Sequence, residues 1–259
     1  MKTIAAIIPT RNEEIHMKRC IDSLSFASHI YVLDSESTDN TCNIANQMGC
    51  TIFNYPQNTI FSDKLNSAIS RLQNYDLVIR VDADEIVSAG LSNLIIDLLA
   101  SPSQLMPAYS VSRKLFFFSK ILRRGGTSSC PIRLLNPKFI TYQQTLIDEH
   151  VDLHGFFSCK LNGEIYDDPL HGYSHWLSKH ISYSESEAKS VFLPKLLNQK
   201  APLIRLYYKC PIFFRAFLLF FYRYILLLGF LDGKPGLYYH LSQTLLYRLM
   251  VDVRISSAR

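Results

Sequence analysis

The first hundred residues alternate between two hydrophobic periods, and that alternation leaves few folds open. Thr3–Pro9 is a continuous apolar run, the pattern of a strand buried on both faces. A helical stretch opens at Asn12 or Glu13 and runs to about Phe26, with acidic residues in its first turn. Ile30–Asp34 is a second strand, and Ser37 or Asp39 caps a helix that ends at Gly49. Thr51–Tyr55 is a third strand, about Asp63–Leu72 a third helix, and Leu77–Val81 a fourth strand. Strand and helix in strict turn predict an α/β fold with a mostly parallel sheet and helices on both faces.

In such sheets ligands bind beyond the carboxyl ends of the strands. Pro9-Thr10-Arg11-Asn12-Glu13 follows strand one, Asp34-Ser35-Glu36-Ser37 follows strand two and Asp82-Ala83-Asp84 follows strand four. All three polar clusters are therefore expected on one rim. Two carboxylates two residues apart at a strand end suit a hard divalent cation, which keeps positions open for a diphosphate. Taken alone, the same triplet also reads as a solvated turn. The glycine-rich cradles GxGxxG and GxxxxGK[ST] are missing from the sequence, which argues against a dinucleotide dehydrogenase and a P-loop NTPase.

A chain of 259 residues, 48% hydrophobic, buries a core without staples and is not disordered. The six cysteines are scattered with no CxxC pair, so they read as reduced, mostly buried thiols rather than a zinc site. The apolar run Ile4–Ile8 is too short for an export signal and meets Arg11, Glu13 and Glu14 at once. The net charge of +5 says little by itself, but its distribution says more. From Ala188 to Leu231 no residue is acidic and seven are basic. Arg215 and Arg223 interrupt the apolar run Pro211–Leu231, so it is not a clean transmembrane span. Eight residues apart on a helix, they fall towards one side and leave Phe and Leu on the other. That predicts a helix in the membrane interface, with a buried helix on the catalytic domain as the alternative. Basic residues interleaved with Leu and Phe disfavour nucleic-acid binding.

Seven segments in order carry a likeness: IIPTRNEE (7–14), VLDSESTDNT (32–41), FSDKLNSAI (61–69), VIRVDADE (78–85), IDEHV (147–151), HGYSHWLSKHISYSESEA (171–188) and GFLDGKPGL (229–237). Together they resemble the family 2 glycosyltransferases of the GT-A fold, and among these the type that adds a β-linked glucose or similar sugar to a lipopolysaccharide core. The resemblance implies a Rossmann-like GT-A catalytic domain over residues 1–200 and a helical, membrane-associating region over 201–259. It implies that Thr10, Arg11, Glu13, Asp34, Lys64 and Asp82 bind the nucleotide sugar. Asp84, with Asp82 and less directly His171, would hold Mg²⁺ or Mn²⁺. Glu149 would be the catalytic base of an inverting transfer from a UDP-sugar to a lipid-linked saccharide. The implied location is cytoplasmic, peripheral on the inner face of the bacterial inner membrane.

Without the resemblance, Glu149-His150 reads as a surface ion pair. Arg123-Arg124-Gly125-Gly126 reads either as a rim loop that clamps phosphate or acceptor, or as a solvated basic turn. Arg133 in PIRLL is a further site candidate, and His175, Trp176 and His180 read as packing or acceptor-lining residues. Two other functions stay open: a phospho- or nucleotidyltransferase using the same aspartates, and a non-catalytic membrane-associated partner on a degenerate transferase fold.

Overall fold

The computed structural model describes residues 2–143, 151–191 and 210–257. The chain divides into two compact units, Met1–Phe116 with Ser129–Leu170 and Phe117–Ser128 with His171–Arg259. The boundary expected near residue 200 lies outside the described residues.

The first unit opens as predicted, with β1 (Ile4–Thr10), α1 (Glu14–Asp22), β2 (His29–Asp34), α2 (Thr41–Gln47), β3 (Thr51–Asn54), α3 (Phe61–Arg71) and β4 (Leu77–Arg80). These four strands are parallel in the order β3-β2-β1-β4. β1 is buried on both faces, as its unbroken apolar run requires. Ile4, Ala6 and Ile8 pack with Met17, Cys20 and Leu24 of the α1 side, while Ala5 and Ile7 pack with Leu65, Ala68 and Ile69 of the α3 side. Asp39 caps the start of α2, its Oδ1 accepting from the Thr41 amide at 3.0 Å.

Beyond β4 come elements that periodicity did not reveal: β5 (Glu85–Val87), α4 (Ala89–Ala100) and β11 (Ser158–Asp167). β6 (Ala108–Phe117) and β8 (Ile132–Leu135) lie between them in the chain. The sheet continues β4-β8-β6-β11-β5, with β8 antiparallel to both β4 and β6, and β5 antiparallel to β11. Ser88 caps α4 by accepting from the Leu91 amide. A separate antiparallel pair, β9 (Thr141–Tyr142) and β10 (Val151–Asp152), brackets the residues between them.

The second unit holds β7 (Lys120–Ile121), α5 (Tyr173–Val191), α6 (Phe214–Phe221), α7 (Gly233–His240) and α8 (Tyr247–Ser257). π-helical turns Tyr222–Leu226 and Leu241–Leu246 extend α6 and α7. Its small core joins Ala188 to Tyr247, Val251 and Ile255. Arg215 corrects the expected orientation of the tail helix. It is 3% exposed and chelates the buried Asp252, with Nε 2.8 Å from Oδ1. The charged side of α6 thus faces in, and Phe214, Phe217, Leu218 and Phe221 face out. An arginine finds a carboxylate on α8 that the acid-free stretch itself lacks, so charge alone did not predict which face is wet. Among the described residues no single helix is long and apolar enough to cross a membrane. Trp176 stacks on His180, and His180 Nδ1 bonds the Trp176 carbonyl, so both pack as expected. The cysteines are all free, with Cys20 and Cys50 buried but Cys130 and Cys159 exposed.

Candidate functional site

The rim lies at the carboxyl ends of β1, β2 and β4. Thr10 and Asp34 are the last residues of paired parallel strands and sit directly opposite each other. Asp34 is 4% exposed, and its carboxylate is fixed by the Ser37 amide (3.0 Å) and hydroxyl (2.5 Å). The β1–α1 turn needs a left-handed residue, supplied by Asn12 at φ 56. Its amide donates to Ser37 Oγ and its side-chain oxygen accepts from the Thr38 amide, which locks the first two rim loops together.

Lys64 reaches the same rim from α3. It is buried, and its Nζ donates to Ser35 Oγ at 2.8 Å. Burial lowers its pKa, and the charge of the exposed Arg11 lowers it further, while Asp34 and Glu36 oppose them. Two cations therefore converge beside Asp34, a field suited to phosphate oxygens.

Glu13 lies behind them. Its carboxylate is 2.5 Å from Nδ1 of the fully buried His16, whose Nε2 accepts from the Leu170 amide. An accepting Nε2 places the ring hydrogen on Nδ1, so His16 donates to Glu13 and orients it. The sequence reading missed His16, whose only signal was its place one turn after Glu13 in α1.

Asp82 and Asp84 share a turn but not an environment. Asp82 Oδ1 pairs with Arg80 at 2.9 Å and Oδ2 with Arg133 at 3.3 Å. These guanidiniums hold Asp82 well below the ordinary carboxylate range against the opposing effect of burial. Arg133 also grips the buried Glu85, which Arg113 meets at 3.0 Å while contacting Asp167. Burial pushes both Glu85 and Asp167 upward, opposed by Arg133 and Arg113 at Glu85 and foremost by Arg113 at Asp167. The backbone of Asp84 is fixed by the Asp168 amide, which donates to its carbonyl at 3.1 Å. Arg19 holds Asp168 in turn, at 2.8 Å. Of the arginines in this network the sequence singled out only Arg133.

Glu149 lies outside the described residues. The strands on either side of it are anchored to the site: Asn66 of α3 exchanges two hydrogen bonds with the Tyr142 backbone, and Arg80 lies 5.9 Å from the Tyr142 ring centroid. His171 belongs to the second unit, where its ring stacks on His175 at 3.9 Å. One rim thus gathers Thr10, Arg11, Asp34 and Lys64, with the DxD turn at the end of β4, two strand positions along the sheet from β2.

The parallel strands of this mixed α/β sheet carry carboxylates and cations along their carboxyl rim, where ligands of such folds bind. The model of Glycosyl transferase family 2 matches residues 5–160, and the chain belongs to that family. An uncharacterized glycosyltransferase of Rickettsia typhi is 30% identical over 74% of this chain and 68% of its own length. A Rickettsia bellii relative of the same description is 30% identical over 56% of this chain, and the match spans only 50% of that relative. The crystal structure of S. aureus TarS 1–349 in complex with UDP-GlcNAc aligns over 100% of this chain and 93% of that one, with TM-score 0.53 and 13% identity. That likeness shares the fold.

Proposed function

We propose that the protein is an inverting glycosyltransferase that moves a hexose, glucose by the sequence resemblance, from a UDP-sugar to a lipid-linked saccharide of the lipopolysaccharide-core kind. The observation that carries this is the convergence of Thr10, Asp34 and the buried Lys64 on the carboxyl rim of β1 and β2. Arg80 and Arg133 pair with Asp82 on the DxD turn, and by the sequence resemblance Asp84 is the carboxylate that would hold a cation. One hard oxygen donor beside a diphosphate suits Mg²⁺ or Mn²⁺, which take one or two carboxylates and complete their shells with phosphate and water. The bound cation would stabilise negative charge on the departing UDP.

The remaining roles belong to the chain's own residues. Asp34 and Thr10 face the nucleoside, Lys64 and Arg11 attract its phosphates, and Glu13, oriented by His16, shapes the first loop. Glu149 takes the proton from the acceptor hydroxyl as that oxygen attacks the anomeric carbon. This base is supported by β9, the strand that precedes it, which Tyr142 ties to α3 and Arg80. A UDP-sugar donor agrees with the ligand in the TarS structure.

Peripheral contact with a membrane is part of the same reading. It is supported by the outward Phe214, Phe217, Leu218 and Phe221, with the charge of α6 buried on Asp252.

UDP release from a panel of UDP-sugars, with a lipid-linked saccharide acceptor and Mg²⁺ or Mn²⁺, tests the proposal. Glu149→Gln and Asp84→Ala should each reduce turnover by at least about a hundredfold. Full turnover by Glu149→Gln, or in EDTA, contradicts the mechanism.

A further inference from the structure

The second unit carries a basic loop to which the proposed transfer assigns no role. Arg123 and Arg124 are adjacent and exposed. Their side chains meet no carboxylate among the described residues, but their backbone is tightly held. One oxygen of Asp232 accepts from both amides, at 3.0 Å from Arg123 and 2.9 Å from Arg124. Lys120 donates to the Asp232 carbonyl at 3.0 Å. Thr127 Oγ1 lies 3.0 Å from both the Leu122 and Arg124 carbonyls, to which it donates, and closes the loop.

The two glycines that follow are required. Gly125 and Gly126 have φ of +69 and +68, the left-handed region in which a side chain is strained. A Cβ on Gly125 would stand 2.1 Å from the ring of His240, and one on Gly229 would stand 2.6 Å from it. The Gly125 amide also donates to the Leu227 carbonyl at 3.0 Å. RRGG and GFLDG, two separate sequence motifs, are therefore halves of one clamp.

The clamp has a polarity. Asp232 is 5% exposed, so its charge is hidden while Arg123, Arg124 and Lys234 are exposed. The turn that clasps the loop exposes Leu228, Phe230 and Leu231 at 40%, 41% and 55%. Exposed guanidinium groups on a fixed backbone, beside an apolar turn, match a phosphate group attached to an acyl chain. Arginine forks bind a terminal phosphate through paired hydrogen bonds, which a lysine cannot reproduce.

We infer that Arg123 and Arg124, presented by the Asp232 clamp, form a binding site for the terminal phosphate of a membrane-borne amphiphile. The inference deepens the membrane side of the proposed function and rests on that reading. The ligand phosphate belongs to a lipid here, and free phosphate is the competing source.

Binding of the full chain is measured by cosedimentation with phosphatidylcholine vesicles containing either phosphatidic acid or phosphatidylglycerol, and separately by titration with inorganic phosphate. The wild-type chain should prefer phosphatidic acid. Arg123→Gln/Arg124→Gln should weaken that binding on the order of thirtyfold, from about fivefold per basic residue at a membrane surface. Arg123→Lys/Arg124→Lys should keep binding to phosphatidylglycerol and lose the preference for phosphatidic acid. Both pairs are exposed, so neither variant disturbs the core. Equal binding of wild-type and Gln variants overturns the inference, and so does a Lys variant that keeps the preference. Inorganic phosphate binding as tightly as the phosphatidic acid vesicles overturns the lipid assignment. UDP binding by the same variants should be unchanged, so a failed vesicle arm with intact UDP binding rejects this site and leaves the transferase reading standing.

Discussion

Replacing Arg133 with Ala leaves Asp82 with one arginine instead of two, and strips the fully buried Glu85 of one of its two guanidinium contacts. An uncompensated buried charge is expensive, so Arg133→Ala should destabilise the chain by about 3–5 kcal/mol in urea unfolding. A loss below about 1 kcal/mol would mean that water reaches the pair and that the network is not structural. His240 makes a second residue-level prediction. Neither ring nitrogen has a hydrogen-bond partner, and burial, then the charge of Arg223, push its pKa down to about 4 from 6.5. The imidazole is neutral in the fold, and the unfolded chain binds the proton more readily. Stability is therefore complete above about pH 6.5 and declines by about 2–3 kcal/mol as pH falls through 4. His240→Leu should flatten that decline, and an unchanged pH profile in the variant would assign it to other groups. At this scale the sequence exposed only what sits at strand ends. Asp34, Asp82 and Asp84 follow recognisable strands, but Arg80, Arg113, Arg133 and Asp167 come from four separate strands. No local pattern records that they meet.

Elements were legible where the hydrophobic period was clean. β1, β2, β3 and β4 each read as short apolar runs, and their register places Thr10 against Asp34 as the rim argument requires. β11 was hidden because Gly163 breaks its alternation at a bulge, between Leu161 and Glu164. That glycine is a packing requirement. A Cβ there would stand 2.6 Å from the Leu91 Cβ and 2.8 Å from its Cα, because α4 presses directly on the strand. Gly163→Ala should cost about 1–3 kcal/mol, measured by the urea midpoint at constant m-value. An unchanged midpoint would show that α4 shifts freely. α6 teaches the opposite lesson: its two-faced character was evident, but which face meets solvent depended on Asp252, 37 residues further along the chain.

At the scale of the whole molecule, the first unit carries the rim that the proposal assigns to a nucleotide sugar. The second exposes apolar and basic residues, which the proposal assigns to membrane contact. The resemblance anticipated the family and the α/β fold, because several motifs in order constrain a chain more than any one of them. The central claim is that the carboxyl rim binds a UDP-sugar with its cation on Asp84, while Asp82 is committed to arginine. Calorimetric titration of UDP with and without Mn²⁺ tests it most directly. UDP affinity should rise at least about tenfold with Mn²⁺, a gain of roughly 1.4 kcal/mol. That increment should vanish in Asp84→Ala, while Asp34→Ala weakens UDP binding with or without the metal. UDP affinity indifferent to Mn²⁺ in the wild-type chain, or an increment that survives in Asp84→Ala, would contradict the account.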